Sequence, residues 1–367
     1  MQLEHLALAN LRNYASLEWT PSPGLNLLVG ANAQGKSNLL EAIAMLATGK
    51  SFRTARESEL IRFGQALGSV VGVARVAAGK LNLACTIAAS VGGTRKTYTL
   101  NGEGVRYARF LGSVKVVAFV PSDLGLVSGA PSLRRAMVNE ALSLADRRYY
   151  HSLARYRKAM LQKNALLRAA GGAADAELLK IYDNIMAESG TEIILARRHY
   201  LVSLGEAAAS VYGHWIPSER FMLRYQPDVS VETPTSDGIR NAFETRLREQ
   251  RPAELSRRRC LVGPHRDEIE LLLDGEALAR FGSQGQQRTA VLALKLGEYA
   301  VLRDIAGETP VLLLDDVLSE LDTERSAAFL AGLEGLDQVF VTATHLPQPA
   351  PSGATTWRIE AANVVQC

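Results

Sequence analysis

The sequence predicts an α/β fold of mixed sheets with helices, interrupted by an inserted, mainly α-helical lobe without a long coiled coil. Three observations predict it. Gly30-Ala31-Asn32-Ala33-Gln34-Gly35-Lys36-Ser37 satisfies the phosphate-loop pattern G-x-x-x-x-G-K-[ST] between an apolar run and a helical segment. The apolar run Val311–Leu314 ends in Asp315-Asp316, 279 positions beyond Lys36. Between the two, residues 132–170 and 175–213 carry apolar side chains at helical spacing. One phosphate site is thus assembled from both ends of the chain. Residues 1–125 with 256–367 are expected to form the nucleotide-binding domain, and 126–255 the inserted lobe.

The elements follow in order. Leu25–Val29 reads as a strand feeding the Gly-rich turn, and Asn38–Ile43 continues helically. Residues 68–77, 81–90 and 94–100 read as strands separated by Gly79-Lys80 and Gly92-Gly93 and closed by Asn101-Gly102. Leu153, Tyr156, Met160 and Leu167 recur at helical spacing, as do Leu178, Tyr182, Ile185, Ile193, Ala196, Tyr200 and Leu204. Gly171-Gly172 breaks this pair and Asp175 caps the second helix. Pro217 ends the region. A strand over 221–232 and a helix over 238–250 before Pro252 follow. Glu268–Leu273 and the Asp274-Gly275 turn then return to β-structure, and Thr289–Arg303 forms a largely apolar helix.

Composition narrows the class. The 367 residues are 47% hydrophobic and 22% charged, as in ordinary globular proteins, and no run of 18 apolar residues suits a membrane span. The start, Met1-Gln2-Leu3-Glu4-His5, lacks a charged leader with an apolar h-region, so a cytoplasmic location is expected. Cys85, Cys260 and Cys367 show no C-x-x-C spacing, which argues against a disulfide framework or a zinc ribbon. Basic charge is concentrated in the insertion. Leu126–Arg259 holds 21 Lys and Arg against 15 Asp and Glu, leaving 20 and 23 for the rest.

The chemistry lies in three segments. Glycines let the phosphate loop wrap phosphates, and the following helix N-terminus offers N–H donors and a positive dipole end. Lys36 is placed to reach the β- and γ-phosphates, and the Ser37 hydroxyl to ligate Mg²⁺. A buried strand over Val311–Leu314 delivers Asp315 to hold Mg²⁺ and Asp316 to orient or deprotonate the attacking water. Ser283-Gln284-Gly285-Gln286-Gln287-Arg288 precedes an apolar helix and suits either anion binding or an ordinary cap.

The order of phosphate loop, S-x-G-Q segment, strand with Asp315-Asp316, Ser319-Glu320-Leu321-Asp322 and Thr344-His345 resembles ATP-binding-cassette ATPases. That resemblance implies an ABC-type head that binds ATP and Mg²⁺. Ser283, Gly285 and Gln286 of one protomer then contact ATP held by another, Ser319–Asp322 forms the D-loop, and His345 senses the γ-phosphate. Lys36, Asp316 and His345 become the catalytic set. More narrowly, Leu11-Arg12-Asn13-Tyr14, Gly49-Lys50-Ser51-Phe52-Arg53, Arg134-Arg135, Gly263-Pro264-His265-Arg266-Asp267, Phe281–Arg288 and Leu314–Asp322 resemble the RecF family of recombination mediators, relatives of SMC and Rad50 heads. By that resemblance Arg12 joins Gly30, Ala31, Asn32, Ala33, Gln34, Gly35, Lys36 and Ser37 as ATP-binding. It also implies a weak, DNA-dependent ATPase that dimerises on ATP and works with RecO and RecR to load RecA at single-strand gaps.

Two departures stand out. Phe119–Asp123, where a glutamine loop belongs, has no glutamine. The second acid of the Walker B strand is Asp, where many cassette ATPases carry Glu. Both departures, with the length of the chain, weigh against the alternative of a transporter's nucleotide-binding subunit. A P-loop kinase needs no signature segment. For DNA, clustered arginine suits backbone phosphates, and no aromatic stacking signature is present. Candidate contacts are Arg147, Arg148, Arg155, Arg157, Lys158, Arg197 and Arg198, on duplex DNA or at gap junctions.

Overall fold

A computed structural model describes residues 1–169, 175–320, 329–330, 332–333, 335–347, 351 and 353–367. The chain forms two compact units, Met1–Asp123 with Leu302–Cys367, and Leu124–Val301. The return boundary therefore differs from the expected residue 256: the segment up to Val301 clusters with the helical unit. Strand pairing explains this, because residues 268–273 pair with 221–226 of the insertion.

In the first unit, β1 (Gln2–Leu11), β2 (Tyr14–Trp19), β3 (Gly24–Val29), α1 (Lys36–Thr48), β4 (Leu67–Val76), β5 (Gly79–Ser90), β6 (Gly93–Leu100), β7 (Glu103–Val105), a single helical turn α2 (Tyr107–Phe110) and β8 (Val116–Phe119) come first. The second unit holds the short α3 (Gly125–Ser128), then α4 (Pro131–Ala145), α5 (Arg147–Ala169), α6 (Ala176–Trp215), β9 (Phe221–Gln226), α7 (Ser236–Arg257), β10 (Glu268–Leu273), β11 (Glu276–Ala277), α8 (Leu278–Phe281) and most of α9 (Gln284–Ala306), whose residues from Leu302 onward belong to the first unit. β12 (Val311–Leu314), β13 (Gln338–Ala343), β14 (Thr355–Glu360) and β15 (Asn363–Gln366) complete the first unit.

Two sheets build that first unit. One is antiparallel, in the order β2-β1-β4-β5-β6-β7. The other has the order β15-β14-β3-β13-β12-β8, with β14, β3, β13, β12 and β8 parallel. α1 contacts β4 and β5 of the first sheet and β8 and β13 of the second, so it is buried nearly all round. That accounts for its continuous apolar character, since a helix with only one covered face needs only a stripe. Buried Gln338 fastens the layers: its carboxamide accepts from Leu3 N at 2.7 Å and donates to Leu3 O at 2.9 Å.

Three strand expectations were close, and the Asn101-Gly102 turn has φ values of 50° and 82°, as a two-residue hairpin demands. The Asp274-Gly275 turn joins β10 to β11 in the same way, at 51° and 87°. The strand expected over 221–232 is shorter, ending at Gln226.

The helical unit departs more. The segment 132–170 is two helices, broken at Asp146, whose carboxylate accepts from Arg148 N at 2.7 Å. α7 does not stop before Pro252 but runs to Arg257. Fully buried Glu254 holds that last stretch, pairing with Lys163 at 2.6 Å and accepting from Leu261 N at 2.9 Å. Tertiary bonds thus offset the lost helix bond at proline. Asp175 caps α6 as expected, accepting from Glu177 N and Leu178 N. Along α6, Ile193, Tyr200 and Leu204 are buried, but Leu178 is exposed and Leu179 buried in its place. Asp183, 2.7 Å from fully buried Lys163, places a carboxylate on the buried side of these turns, which the apolar periodicity does not encode. Gly171-Gly172 lies outside the described residues. Among the described residues, no helix is long and apolar enough to cross a membrane, and the three cysteines are free thiols.

Candidate functional site

In the parallel sheet β13 lies between β3 and β12, and all three run the same way. Their C-terminal ends therefore bring the phosphate loop, Thr342 and Asp315 to one edge, where ligands of open α/β sheets bind. The register pairs Leu314 with Val341, so Asp315 is level with Thr342.

The phosphate loop leaves β3 and enters α1 at Lys36. Gly30 has no room for a side chain, since a Cβ there meets Ile359 O at 2.2 Å. Gly35 adopts φ 118°, and Ala33 φ 64°. The Gln34 carbonyl accepts from Asn13 Nδ2 and Ala362 N, each at 3.1 Å, and its side-chain Oε1 accepts from Ala361 N at 2.7 Å. Gln34 thereby ties the loop to the β14–β15 turn, while Ala31, Asn32 and Ala33 stay exposed. Lys36 Nζ donates to Gly30 O at 2.5 Å and Ala31 O at 2.9 Å, inside the crown of the loop. Burial pushes its pKa down, opposed by Asp316 and Asp315.

Asp315 is buried, and its Oδ1 accepts from Ser37 Oγ at 2.8 Å and Thr342 Oγ1 at 2.9 Å. Burial raises its pKa, and the Ser37 and Thr342 hydroxyls pull the other way. The Asp316 amide donates to Thr342 Oγ1 at 2.8 Å; the residue is exposed and holds φ 55°. A cavity of about 630 Å³ is lined by Lys36, Ser37, Asp315, Asp316 and Thr342, within the range of small-molecule sites. This donor set would suit Mg²⁺: one carboxylate and one hydroxyl oxygen converge, and phosphates and water would supply the remaining oxygens. Among the described residues no cluster of three or more His, Cys, Asp or Glu offers an all-protein metal cage.

Sequence reasoning missed several wall residues. Asn13, Asn38, Phe52 and Arg53 line the same cavity. Arg53 Nη1 donates to Asn38 Oδ1 at 2.5 Å, and Asn38 Nδ2 to Asn13 Oδ1 at 2.8 Å. Arg53 also lowers the Asp315 pKa by its charge. The Gly49–Arg53 segment was visible in the sequence, but nothing in its spacing assigned Arg53 a role.

Other expected residues sit elsewhere. Arg12 is outside the cavity lining: Nε and Nη2 donate to the Glu41 carboxylate, each at 2.8 Å, and Nη1 donates to Glu59 O at 2.9 Å. His345 is exposed beyond β13 and does not line the cavity. Asp123 caps its own turn, accepting from Val120 N at 2.9 Å. Ser319 Oγ donates to Asp316 O at 2.8 Å, whereas Leu321 and Asp322 of the expected D-loop lie outside the described residues.

In the helical unit, Ser283 and Gln286 form a reciprocal capping box at the start of α9. Ser283 N donates to Gln286 Oε1 at 2.8 Å, and Gln286 N to Ser283 Oγ at 3.2 Å. Gln286 Nε2 also donates to Glu219 at 2.8 Å, while Ser283 and Gly285 stay exposed. Of the DNA candidates, Arg147, Arg148, Arg155, Arg157 and Lys158 are exposed on α5, with Arg155 paired to Glu188 at 2.7 Å. Arg198 is half-buried. Arg197 is a correction: it is only 2% exposed, pairs with Asp267 at 2.6 Å and donates to Pro264 O at 2.7 Å. A cation so enclosed holds the core and does not face DNA.

The sequence pattern described as "RecF/RecN/SMC N terminal domain" matches residues 2–354. The "DNA replication and repair protein RecF" of Limosilactobacillus fermentum is 39% identical, covering 94% of this chain and 93% of that one. The chain belongs to the RecF family. The protein of the same description from Gloeobacter violaceus is 41% identical, over 94% and 92% of the two chains. Among solved structures, one described as "Structure of the recombination mediator protein RecF-ATP in RecFOR pathway" aligns with a TM-score of 0.91 at 34% identity, covering all of this chain and 97% of that one. The Smc head domain of Pyrococcus furiosus aligns with a TM-score of 0.57 at 15% identity, a likeness of fold alone. The ABC-type head with a helical lobe is thus the fold of this chain.

Proposed function

We propose that the chain is an ATP-binding recombination mediator, a DNA-binding ATPase switch that dimerises on ATP and acts with RecO- and RecR-type partners to promote RecA loading at single-strand gaps. One observation carries the nucleotide part: Ser37 and Asp315, 278 positions apart, share a 2.8 Å hydrogen bond at the mouth of a phosphate loop. The relative described as bound to ATP in the RecFOR pathway supports the rest, and the transporter alternative has no comparable support.

In this reading Lys36 leaves the Gly30 and Ala31 carbonyls for the β- and γ-phosphates, its charge favoured by Asp315 and Asp316. Ser37 and Asp315 hold Mg²⁺, which supplies charge neutralisation at the phosphates. Asp316, exposed and fixed through its amide, orients the attacking water. Ser283 and Gly285 complete the site of a partner protomer, and the exposed arginines of α5 meet backbone phosphates of DNA. Hydrolysis is slow and rises with DNA.

The test is steady-state ATP hydrolysis by the full chain with and without a duplex oligonucleotide. A basal rate that rises several-fold with duplex is expected and vanishes in Lys36→Ala. A rate indifferent to DNA would overturn the proposed coupling, and a Lys36→Ala variant with undiminished turnover would overturn the site itself.

A further inference from the structure

Two motifs remain unabsorbed by the nucleotide site: Arg134-Arg135 and Gly263–Asp267. They meet in the helical unit around a cavity of about 200 Å³, lined by residues of α4, α5 and α6 and by Pro264 and His265. Its titratable lining consists of Arg135, Arg157, Arg197, Tyr156 and His265, with no carboxylate among them.

Two of the arginines near this cavity are neutralised. Arg134 pairs with Glu268 at 2.8 Å, and Arg197 with Asp267 at 2.6 Å. Arg197 also donates to Asn139 Oδ1 at 3.0 Å and, through Nε, to Tyr149 OH at 3.3 Å, so its fork is occupied. Arg135 differs. Its Nη1 donates to the Asp267 carbonyl at 2.6 Å, a neutral acceptor, and among the described residues none of its hydrogen bonds is to a carboxylate. Burial and then the neighbouring Arg197 push its pKa down, and the nearby Asp267 and Glu268 charges, already paired with Arg197 and Arg134, pull only partly the other way. Arg157 stands exposed on α5 at the same cavity and has no ion pair among the described residues. His265 adds no charge: burial lowers its pKa to about 4, and its Nδ1 lies 2.6 Å from Tyr156 OH. Ser132, in the first turn of α4, contributes a hydroxyl at the positive end of a 15-residue helix.

The cavity thus joins Arg135, bonded to a neutral carbonyl, with exposed Arg157, which has no ion pair among the described residues, and its lining holds no carboxylate. At about 200 Å³ it is smaller than pockets for drug-sized ligands, which begin at about 300 Å³. We propose that this cavity is a seat for a single phosphate group, held by Arg135 and Arg157 with Ser132, and separate from the ATP site. Arg157 and its neighbour Lys158 extend the basic face of α5 to the cavity, so a nucleic-acid backbone lying along α5 presents the group. That source rests on the DNA-binding reading above; the seat itself rests on the cavity.

Arg135→Gln and Arg157→Gln test it in the full chain, the second being exposed and harmless to folding. Thermal unfolding verifies that Arg135→Gln is folded. Duplex binding is followed by fluorescence anisotropy over a salt series, with inorganic phosphate titrated separately by calorimetry. For a backbone phosphate, each variant weakens duplex binding about three- to tenfold and reduces the slope of log K against log salt by about 0.9. If duplex binding is unchanged but inorganic phosphate binds the wild type and neither variant, the seat stands and takes free phosphate. If neither ligand distinguishes wild type from variants, the seat does not exist. Arg147→Gln with Arg148→Gln separates this from the wider reading: weakened duplex binding there, with Arg135→Gln unaffected in both assays, overturns the seat and leaves DNA binding along α5 intact.

Discussion

Thr342 is the residue on which the acid pair turns. Its hydroxyl donates to Asp315 Oδ1 and accepts from the Asp316 amide, so one oxygen fixes both carboxylate-bearing residues. Thr342→Val keeps the shape of the strand but leaves that amide unpaired and frees Asp315. Affinity for Mg-ATP is expected to fall roughly tenfold, or about 1.4 kcal/mol, with metal-free ADP binding little changed. Nucleotide titrations with and without Mg²⁺ measure the split; equal losses in both would contradict the role. Thr342 escaped the sequence reading because threonine in an apolar strand reads only as a strand former. Arg53 escaped because its partner, Asn38, sits on a different element. Arg197 misled for the opposite reason: a basic dipeptide on a helix looks solvated until Asp267, 70 positions away, encloses its first member. His265 gives a second expectation. Its pKa is about 4 against the ordinary 6.5, so the unfolded chain binds more protons between those values and stability falls as pH drops through that window. Between pH 7 and pH 4.5 the group contributes a loss of about 2 kcal/mol. Urea unfolding should show that loss in the wild type and its absence in His265→Gln.

At the scale of elements, helix ends and sheet edges were legible where chemistry is local. The phosphate loop, the Asp175 cap and the Asn101-Gly102 and Asp274-Gly275 turns depend on neighbours in sequence, and each lies where its pattern placed it, whereas the turn expected at Gly79-Lys80 falls two residues earlier, at 77–78. α7 and the start of α6 depended on Lys163, Asp183 and Glu254, a buried charge cluster drawn from three helices that no periodicity encodes. α9 combines both cases. Ser283 and Gln286 form an S-x-x-Q capping box readable from spacing, yet Glu219 reaches Gln286 from 67 positions away. The box gives the signature serine a structural duty beside the proposed one in trans. Ser283→Ala should cost the helix start about 1 kcal/mol and speed hydrogen exchange of the Gln286 amide about fivefold. Mass-resolved exchange reports this without nucleotide, so a capping effect is separable from any effect on assembly. Unchanged exchange would mean that the Glu219 contact alone holds the turn.

For the whole molecule, the separation of Lys36 from Asp315 was legible as an insertion, but its extent was not, because β10 pairs with β9 and carries the segment up to Val301 into the helical unit. That segment includes Ser283, so each chain carries its phosphate loop in one compact unit and its signature residues in the other. The proposed dimer then contains two sites, each drawing the loop from one chain and the serine from its partner. A mixing experiment follows from this arrangement. Lys36→Ala empties a chain's own site but leaves its Ser283 available. Ser283→Arg leaves ATP binding intact but places a bulky cation where a partner's γ-phosphate belongs. Neither variant should associate on ATP by itself, whereas an equimolar mixture should form dimers through one intact composite site. Sedimentation velocity at matched concentrations reads the outcome. ATP-dependent association of Ser283→Arg alone would refute the shared site, because no unaltered signature serine is present in that sample. A mixture that stays monomeric would mean that both sites must be filled before the chains hold together.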